Sequence, residues 1–282
     1  MTDLPASSGF LAGKKRRGRT MDRLLKGIIQ LSAILSGAVL VLITVYVTAG
    51  GLSSFGVRFV ESIFPMVVST LFMILFTLLI TLPVGILSAI YLKEFAGQGR
   101  IVSIIRFSVE SLAGIPSIIY GLFGMIFFVT TLGLGWSILS GVLTMAIMIL
   151  PTILRTTEEA LAAVPASYRE GSLALGASRL TTVFRIVLPA AVPGILAAVI
   201  LGMGRIVGET AAIYMTAGTV PRMPSNIMDS GRTLSVHLYM LAKEGISFDQ
   251  AFSTAMVLLI LVALLNGAAS RITHYYRKSR GG

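Results

Sequence analysis

The chain has no cysteine, two histidines and one tryptophan in 282 residues. Without cysteine there is no disulfide framework, no Cys-ligated zinc and no Cys nucleophile. His237 and His274 are too few and too far apart for a His-based metal site. Charge is scarce as well. Only 12% of residues are charged, against about 25% in soluble domains. So few charges cannot cover the surface of a soluble globule, which excludes a cytosolic enzyme. The remainder is hydrophobic at 55%, the composition of an integral membrane protein.

The apolar residues come in long runs. A bilayer-spanning helix needs about 20 of them in succession. Residues 27–49 carry no charge, nor do 63–92, where Pro65 and Pro83 allow kinks. Residues 111–154 are uncharged and too many for one span. Their midpoint, Gly133-Leu134-Gly135-Trp136, reads as a tight turn with Trp136 at the membrane interface, so two helices are expected there. Residues 186–204 continue past Arg205 and Glu209 to 217, and 251–270 form a last run. This predicts an all-α polytopic protein with six transmembrane helices. No segment alternates as a barrel strand would.

The basic residues orient it. Of 23 Lys and Arg, 18 fall on one side of the predicted spans, four on the other, and Arg205 lies within a span. The positive-inside rule puts both termini in the cytoplasm, in agreement with an even number of spans. The run Lys14-Lys15-Arg16-Arg17-Gly18-Arg19 then reads as a topology signal touching anionic lipid rather than a nucleic-acid patch. The layout is a basic tail at 1–26, a first helix at 27–49, a core at 63–271 with a cytoplasmic loop at 155–185, and a tail at 272–282. The basic, largely polar tail of 26 residues before the first run points to a retained anchor rather than a signal peptide.

The 155–185 loop is the longest on the cytoplasmic side. Thr156 with Glu159, and Ser167 with Glu170, fit capping boxes, and Gly176 sits where a short helix would end in a left-handed residue. Two or three short helices are expected. Glu170-Gly171-Ser172, then Gly176 after three residues, then Ile186, Leu188 and Pro189 after nine more, resemble the E-A-A, G, I-x-L-P pattern in permease subunits of bacterial ATP-binding-cassette importers. The spacing matches throughout. The departure is Gly171-Ser172 in place of two alanines, both small. The resemblance implies that this loop is a coupling helix seated in a cleft of a separate ATPase. The chain itself carries no P-loop: Gly9 to Lys15 has three residues between its glycines and no Ser or Thr after Lys14.

Two further segments, 108–124 (SVESLAGIPSIIYGLFG) and 202–218 (GMGRIVGETAAIYMTAG), resemble the permeases of the phosphate importer, and the second permease of that pair in particular. That resemblance implies the type I importer permease fold in the bacterial plasma (inner) membrane. It also implies a sister permease, two cassette ATPase subunits and an extracytoplasmic phosphate-binding protein as partners. ATP with magnesium would be held by the ATPase, and no cofactor by this chain. Nucleic acid is not expected.

Arg205 and Glu209 stand out without any resemblance. A charge in mid-span costs about 2.5–3.5 kcal/mol on insertion scales, so such residues face a bundle interior or a water-filled path. Four residues apart, they are expected on one helix face, in the order less favourable for pairing with each other. Arg205 suits a phosphate oxygen, and Glu209 suits a gating or orienting role; a buried structural ion pair is the bland reading. Arg106 and Glu110 read as a surface i,i+4 pair. Gly204 and Gly208 read as a small-xxx-small packing pair. Pro116 and Ser117 are expected to bend the third span and satisfy freed backbone groups. Residues 233–242 on the outer face read as a short helix with His237 and Tyr239 as polar handles. Two rivals stay open: a permease for another oxyanion such as molybdate or sulfate, and an ion-driven secondary carrier. No convincing internal repeat supports the carrier.

Overall fold

The computed structural model describes the backbone of residues 8–281 apart from Ser54 and Gln98, and side chains of 21–275 apart from the same two. The basic run at 14–19 and the C-terminal tail beyond 275 lie outside the described side chains. The chain divides at Gly50 into two units. The first is the helix α1, Ser8–Gly51. Its described side chains up to Tyr46 are all exposed, Leu, Ile and Val included. Over residues 27–49 the helix carries no charge and is apolar all round, as a membrane span is.

The second unit is a helical bundle. Helix α2, Val57–Ile90, continues as a π-helical turn through Tyr91–Phe95. Helix α3 spans Arg100–Ala113, and α4 spans Ser117–Gly124 with a π-helical extension to Thr131. Helix α5 is Ile138–Ala162 and α6 is Ala166–Ala174. The short α7, Arg179–Thr182, runs through a π turn at Val183–Val187 into α8, Leu188–Gly208. Helix α9 is Ala211–Thr216, α10 is Leu234–Lys243 and α11 is Phe248–Gly281.

Among the described residues, five helices are long and apolar enough to cross a membrane. A sixth span results if α3 and α4, bent by 101°, count as one. The third span is therefore broken rather than continuous. Gly114, Ile115 and Pro116 leave the helix, where Pro116 removes a donor and disfavours helical backbone at the residue before it. The Leu112 carbonyl freed there is met by the Ile115 N–H at 3.1 Å and the Tyr120 hydroxyl at 2.8 Å. The capping therefore comes from Tyr120, not from Ser117 as expected. The turn after α4 forms as predicted, with Gly133 and Gly135 both left-handed, which only glycine adopts without cost.

Helix α5 is the centre of the bundle. Val142, Met145, Ile149 and Ile153 form an i, i+3, i+4 stripe with at most 1% exposure. They pack on Met73 and Leu78 of α2, Ala198 and Ile206 of α8, and Ile213 of α9. Close approach to α5 falls at Gly202, where an added Cβ would lie 3.1 Å from Ile153. A second cluster at the end bearing Lys93, Arg155 and Arg169, the basic end, joins Ile90, Leu92, Leu161, Val183 and Val187.

Candidate functional site: an interrupted helix and an exposed connecting helix

The first site is a break in the span that carries Arg205. Helix α8 stops at Gly208, and Glu209 is extended, with φ −74° and ψ 130°. Arg205 and Glu209 therefore do not share a helix face, which corrects the expectation. No proline marks the break. Instead, the backbone groups it frees are taken up locally. The Glu209 carboxylate accepts from the Ala212 N–H at 3.1 Å, capping α9, and its carbonyl accepts from the Ser235 hydroxyl at 2.7 Å. A carboxylate on helix N-terminal N–H groups is favoured by charge as well as by hydrogen bonding.

Arg205 is half-buried and turns to α5, donating to the Thr152 hydroxyl at 3.5 Å. It is not ion-paired with Glu209: the ion pairs among the described residues are Arg106–Glu158, Arg155–Glu110 and Arg169–Glu94. A guanidinium has five N–H donors, so most remain for another acceptor. Leu201, Gly204 and Gly208 lie on the same face as Arg205 and are exposed. Nothing lies within 4 Å of a Cβ placed on either glycine. Among the described residues neither glycine packs against another helix, contrary to the small-xxx-small expectation. The face around Arg205 is uncovered.

The second site is the connection at the basic end. Helix α5 runs on through Arg155 and Glu159, and α7 leads directly into α8, so the connection shrinks from the expected 155–185 to residues 163–178. Neither predicted capping box forms: Thr156 is inside α5, and Pro165, not Ser167, precedes α6. Of the two or three short helices expected over 155–185, α6 and the short α7 are present. The end of α6 is as predicted. Gly176 has φ +82°. Its N–H donates to the Leu173 carbonyl at 2.9 Å, and the Ala177 N–H donates to the Ser172 carbonyl at 3.2 Å. Those two bonds are the Schellman pattern, in which a left-handed residue stops the helix.

Helix α6 has an outer and an inner side. Tyr168, Glu170, Gly171, Leu173, Leu175 and Gly176 are exposed, Leu175 to 90%. Ser172 is buried and bonds the Thr182 hydroxyl at 2.8 Å. Ile186, Leu188 and Pro189 stand apart from this surface, half-buried where the chain enters α8. Sequence reasoning missed Arg169, which clasps the buried Glu94 75 residues away. It also misassigned Arg106 and Glu110. Both reach from α3 to α5, Arg106 to Glu158 at 3.0 Å and Glu110 to Arg155 at 3.4 Å.

On the side opposite the basic end, Thr233 caps α10 as the predicted short helix requires. Arg232 donates to the Thr219 carbonyl at 2.6 Å and lies 3.2 Å from His237 Nδ1. Burial, then the Arg232 charge, pull the His237 pKa down to about 4, so the ring is neutral near pH 7.

A polytopic bundle with an exposed connecting helix is the architecture of a transport-system membrane subunit. Over residues 81–278 the chain matches the family described as "Binding-protein-dependent transport system inner membrane component", and it belongs to that family. It is thus a multi-span inner-membrane transport component rather than an enzyme. It is 33% identical to the probable ABC transporter permease protein YqgI of Bacillus subtilis, covering 91% of this chain and 97% of that one. It is 36% identical to the phosphate transport system permease protein PstA homolog of Mycoplasma pneumoniae, over 74% of this chain but 33% of that longer protein. It is 34% identical to phosphate transport system permease protein PstA 1 of Mycobacterium tuberculosis, over 68% of this chain and 64% of that one. Among solved structures it resembles the inward-facing MetNI methionine ABC transporter, with TM-score 0.59, 25% identity, and 77% and 95% of the two chains covered. It also resembles the bacterial alginate ABC transporter in complex with its alginate-bound periplasmic protein, with TM-score 0.66, 17% identity, and 91% and 97% covered. The fold is that of the type I ABC importer permeases.

Proposed function

We propose that this chain is the PstA-type permease of an ATP-driven importer and forms half of the pathway for inorganic phosphate. The observation that carries the coupling role is α6. An exposed apolar surface on a helix fixed from behind by Ser172 and Arg169, and stopped by Gly176, suits docking into a separate cassette ATPase. Glu170, Gly171, Ser172 and Gly176 form that element, and Ile186, Leu188 and Pro189 continue it into the membrane. Relatives named as phosphate transport permeases support the choice of cargo.

In this reading both termini are cytoplasmic and α6 faces the ATPase pair. ATP and magnesium belong to those subunits, and no cofactor is held here. The open α8 face bearing Gly204, Arg205 and Gly208 meets a sister permease, completing the path. Arg205 offers its spare donors to a phosphate oxygen as the ion passes, a bidentate geometry that guanidinium suits. Glu209, held on the α9 N-terminus, maintains the break beside Arg205 and keeps its own charge off the anion. Pro116, with Tyr120 meeting the carbonyl it frees, sets the matching break between α3 and α4. An extracytoplasmic binding protein delivers phosphate from the side of α10.

The test is reconstitution of the chain with a sister permease, a cassette ATPase and a phosphate-loaded binding protein. Uptake of labelled phosphate that excess molybdate and sulfate do not suppress is the expected result. Equal uptake of those oxyanions would reassign the cargo.

A further inference from the structure

The contacts of Arg169 exceed what an exposed docking helix needs. Its Nη2 lies 2.6 Å from Glu94 Oε1, and its Nε donates toward both carboxylate oxygens at 3.3 and 3.2 Å. Nη1 donates to the Val164 carbonyl and Nη2 also to the Leu161 carbonyl, each at 2.9 Å. One guanidinium thus ties α6 to the end of α5 and to α2. The Glu94 side chain is 8% exposed and that of Arg169 23%. A buried pair of this kind is a weak source of net stability, since desolvation offsets its attraction, and apolar residues of similar volume would serve stability as well. What a fork on a carboxylate supplies is direction.

Glu94 stands on the π-helical turn that ends α2. Such a turn holds one residue more than the α-helical repeat and recurs at functional positions. Arg179 lies over the neighbouring Phe95 ring at 5.5 Å, giving the same turn a second hold from the connection. Far along α2, the Thr70 hydroxyl accepts from the Leu234 N–H at 3.0 Å, at the start of α10. At 1.5 Å per residue the two attachments are about 36 Å apart. Between them α2 packs along α5.

We propose that Arg169 and Glu94 are a positioning pair that makes α2 the rod transmitting movement of α6 to the α10 end of the bundle. The proposal rests on the coupling role given to α6 above. Force applied to the exposed side of α6 reaches α2 through the fork. Thr70 then delivers it to Leu234, whose neighbour Ser235 holds the Glu209 carbonyl beside the α8–α9 break. Motion at the connection and opening at the break are joined through α2.

The experiment uses the full reconstituted transporter and reads phosphate moved per ATP hydrolysed, with ATPase co-purification measured in parallel. Glu94→Gln keeps the side chain's size and removes its charge. It is expected to leave co-purification and ATP hydrolysis close to normal while lowering phosphate per ATP about tenfold, a loss equivalent to 1.4 kcal/mol of coupling. The exchanged pair, Glu94→Arg with Arg169→Glu, is expected to restore much of that ratio. A normal ratio in Glu94→Gln overturns the proposal. So does a parallel loss of assembly, hydrolysis and uptake in both the single variant and the exchange, which makes the pair purely structural. A wild-type chain that never binds a cassette ATPase defeats the importer reading itself, an outcome separate from these.

Discussion

Glu94 and Glu209 are both acidic residues in an apolar chain, and the bundle accommodates them in opposite ways. Glu94 is almost fully buried and answered by a full opposite charge, with Arg169 reaching it from another element. Glu209 is half-buried and answered by backbone: an Ala212 N–H on its carboxylate, and a Ser235 hydroxyl on its carbonyl. The first arrangement fixes two helices to each other. The second interrupts one helix and leaves the neighbouring Arg205 without an ion-pair partner. Charge thus serves as a fastening at the basic end, whereas at the α8–α9 break backbone holds the carboxylate and Arg205 forms no ion pair among the described residues. In the importer proposed above, the first arrangement supplies an element that moves as a unit and the second a group that meets the cargo.

Replacing Arg205 is the largest expected perturbation. Arg205→Gln, measured in the assembled transporter, is expected to abolish phosphate uptake while ATPase association persists, because the Thr152 contact is long and contributes little to folding. Normal uptake would remove Arg205 from the pathway. Next comes Glu209. Glu209→Ala leaves the Ala212 N–H without its acceptor and is expected to destabilise the protein by about 1 kcal/mol, the usual cost of losing an N-terminal cap. Glu209→Gln keeps an acceptor and is expected to lose much less; equal losses in thermal unfolding would mean that the charge, not the cap, matters.

At the fastened end a loss of comparable size is expected. Gly176→Ala meets no atom within 4 Å, so its cost is purely conformational, about 1–2 kcal/mol for a left-handed residue with a side chain. A thermal shift of the purified chain checks this, and no shift would mean that the turn relaxes. The smallest effect concerns pH. His237 has its pKa lowered from 6.5 to about 4 by burial and by Arg232. Below pH 6.5 the unfolded chain takes up a proton that the folded chain refuses until near pH 4. Stability therefore falls as pH drops through that window and is unaffected above it. In His237→Gln the slope between pH 6.5 and 4 is expected to flatten.

Features that depend on few neighbouring residues were legible in the sequence. The apolar runs, the glycine turn at Gly133 and Gly135, the left-handed Gly176 and the Thr233–Lys243 helix all emerge from local chemistry. The false capping boxes show the limit of such patterns. Thr156 and Glu159 satisfy the motif, yet packing of Ile153 and Leu161 carries α5 straight through it. The break at Glu209 has no proline to announce it, and the hydroxyl that steadies it comes from Ser235, 26 residues later. The pairing of Glu94 with Arg169, and of Arg106 with Glu158, depends on which helices lie side by side, information that no single segment contains. Gly204 and Gly208 were read as packing residues because spacing alone cannot tell a covered face from an open one.

In the importer proposed above, this chain moves phosphate only when a separate ATPase drives it. Uptake of labelled phosphate into proteoliposomes holding the complete transporter, with and without ATP and with ion gradients collapsed, measures this directly. Uptake that requires ATP and the binding protein and survives loss of the gradients is the predicted result. Uptake by this chain alone, driven by an ion gradient and indifferent to ATP, would contradict it.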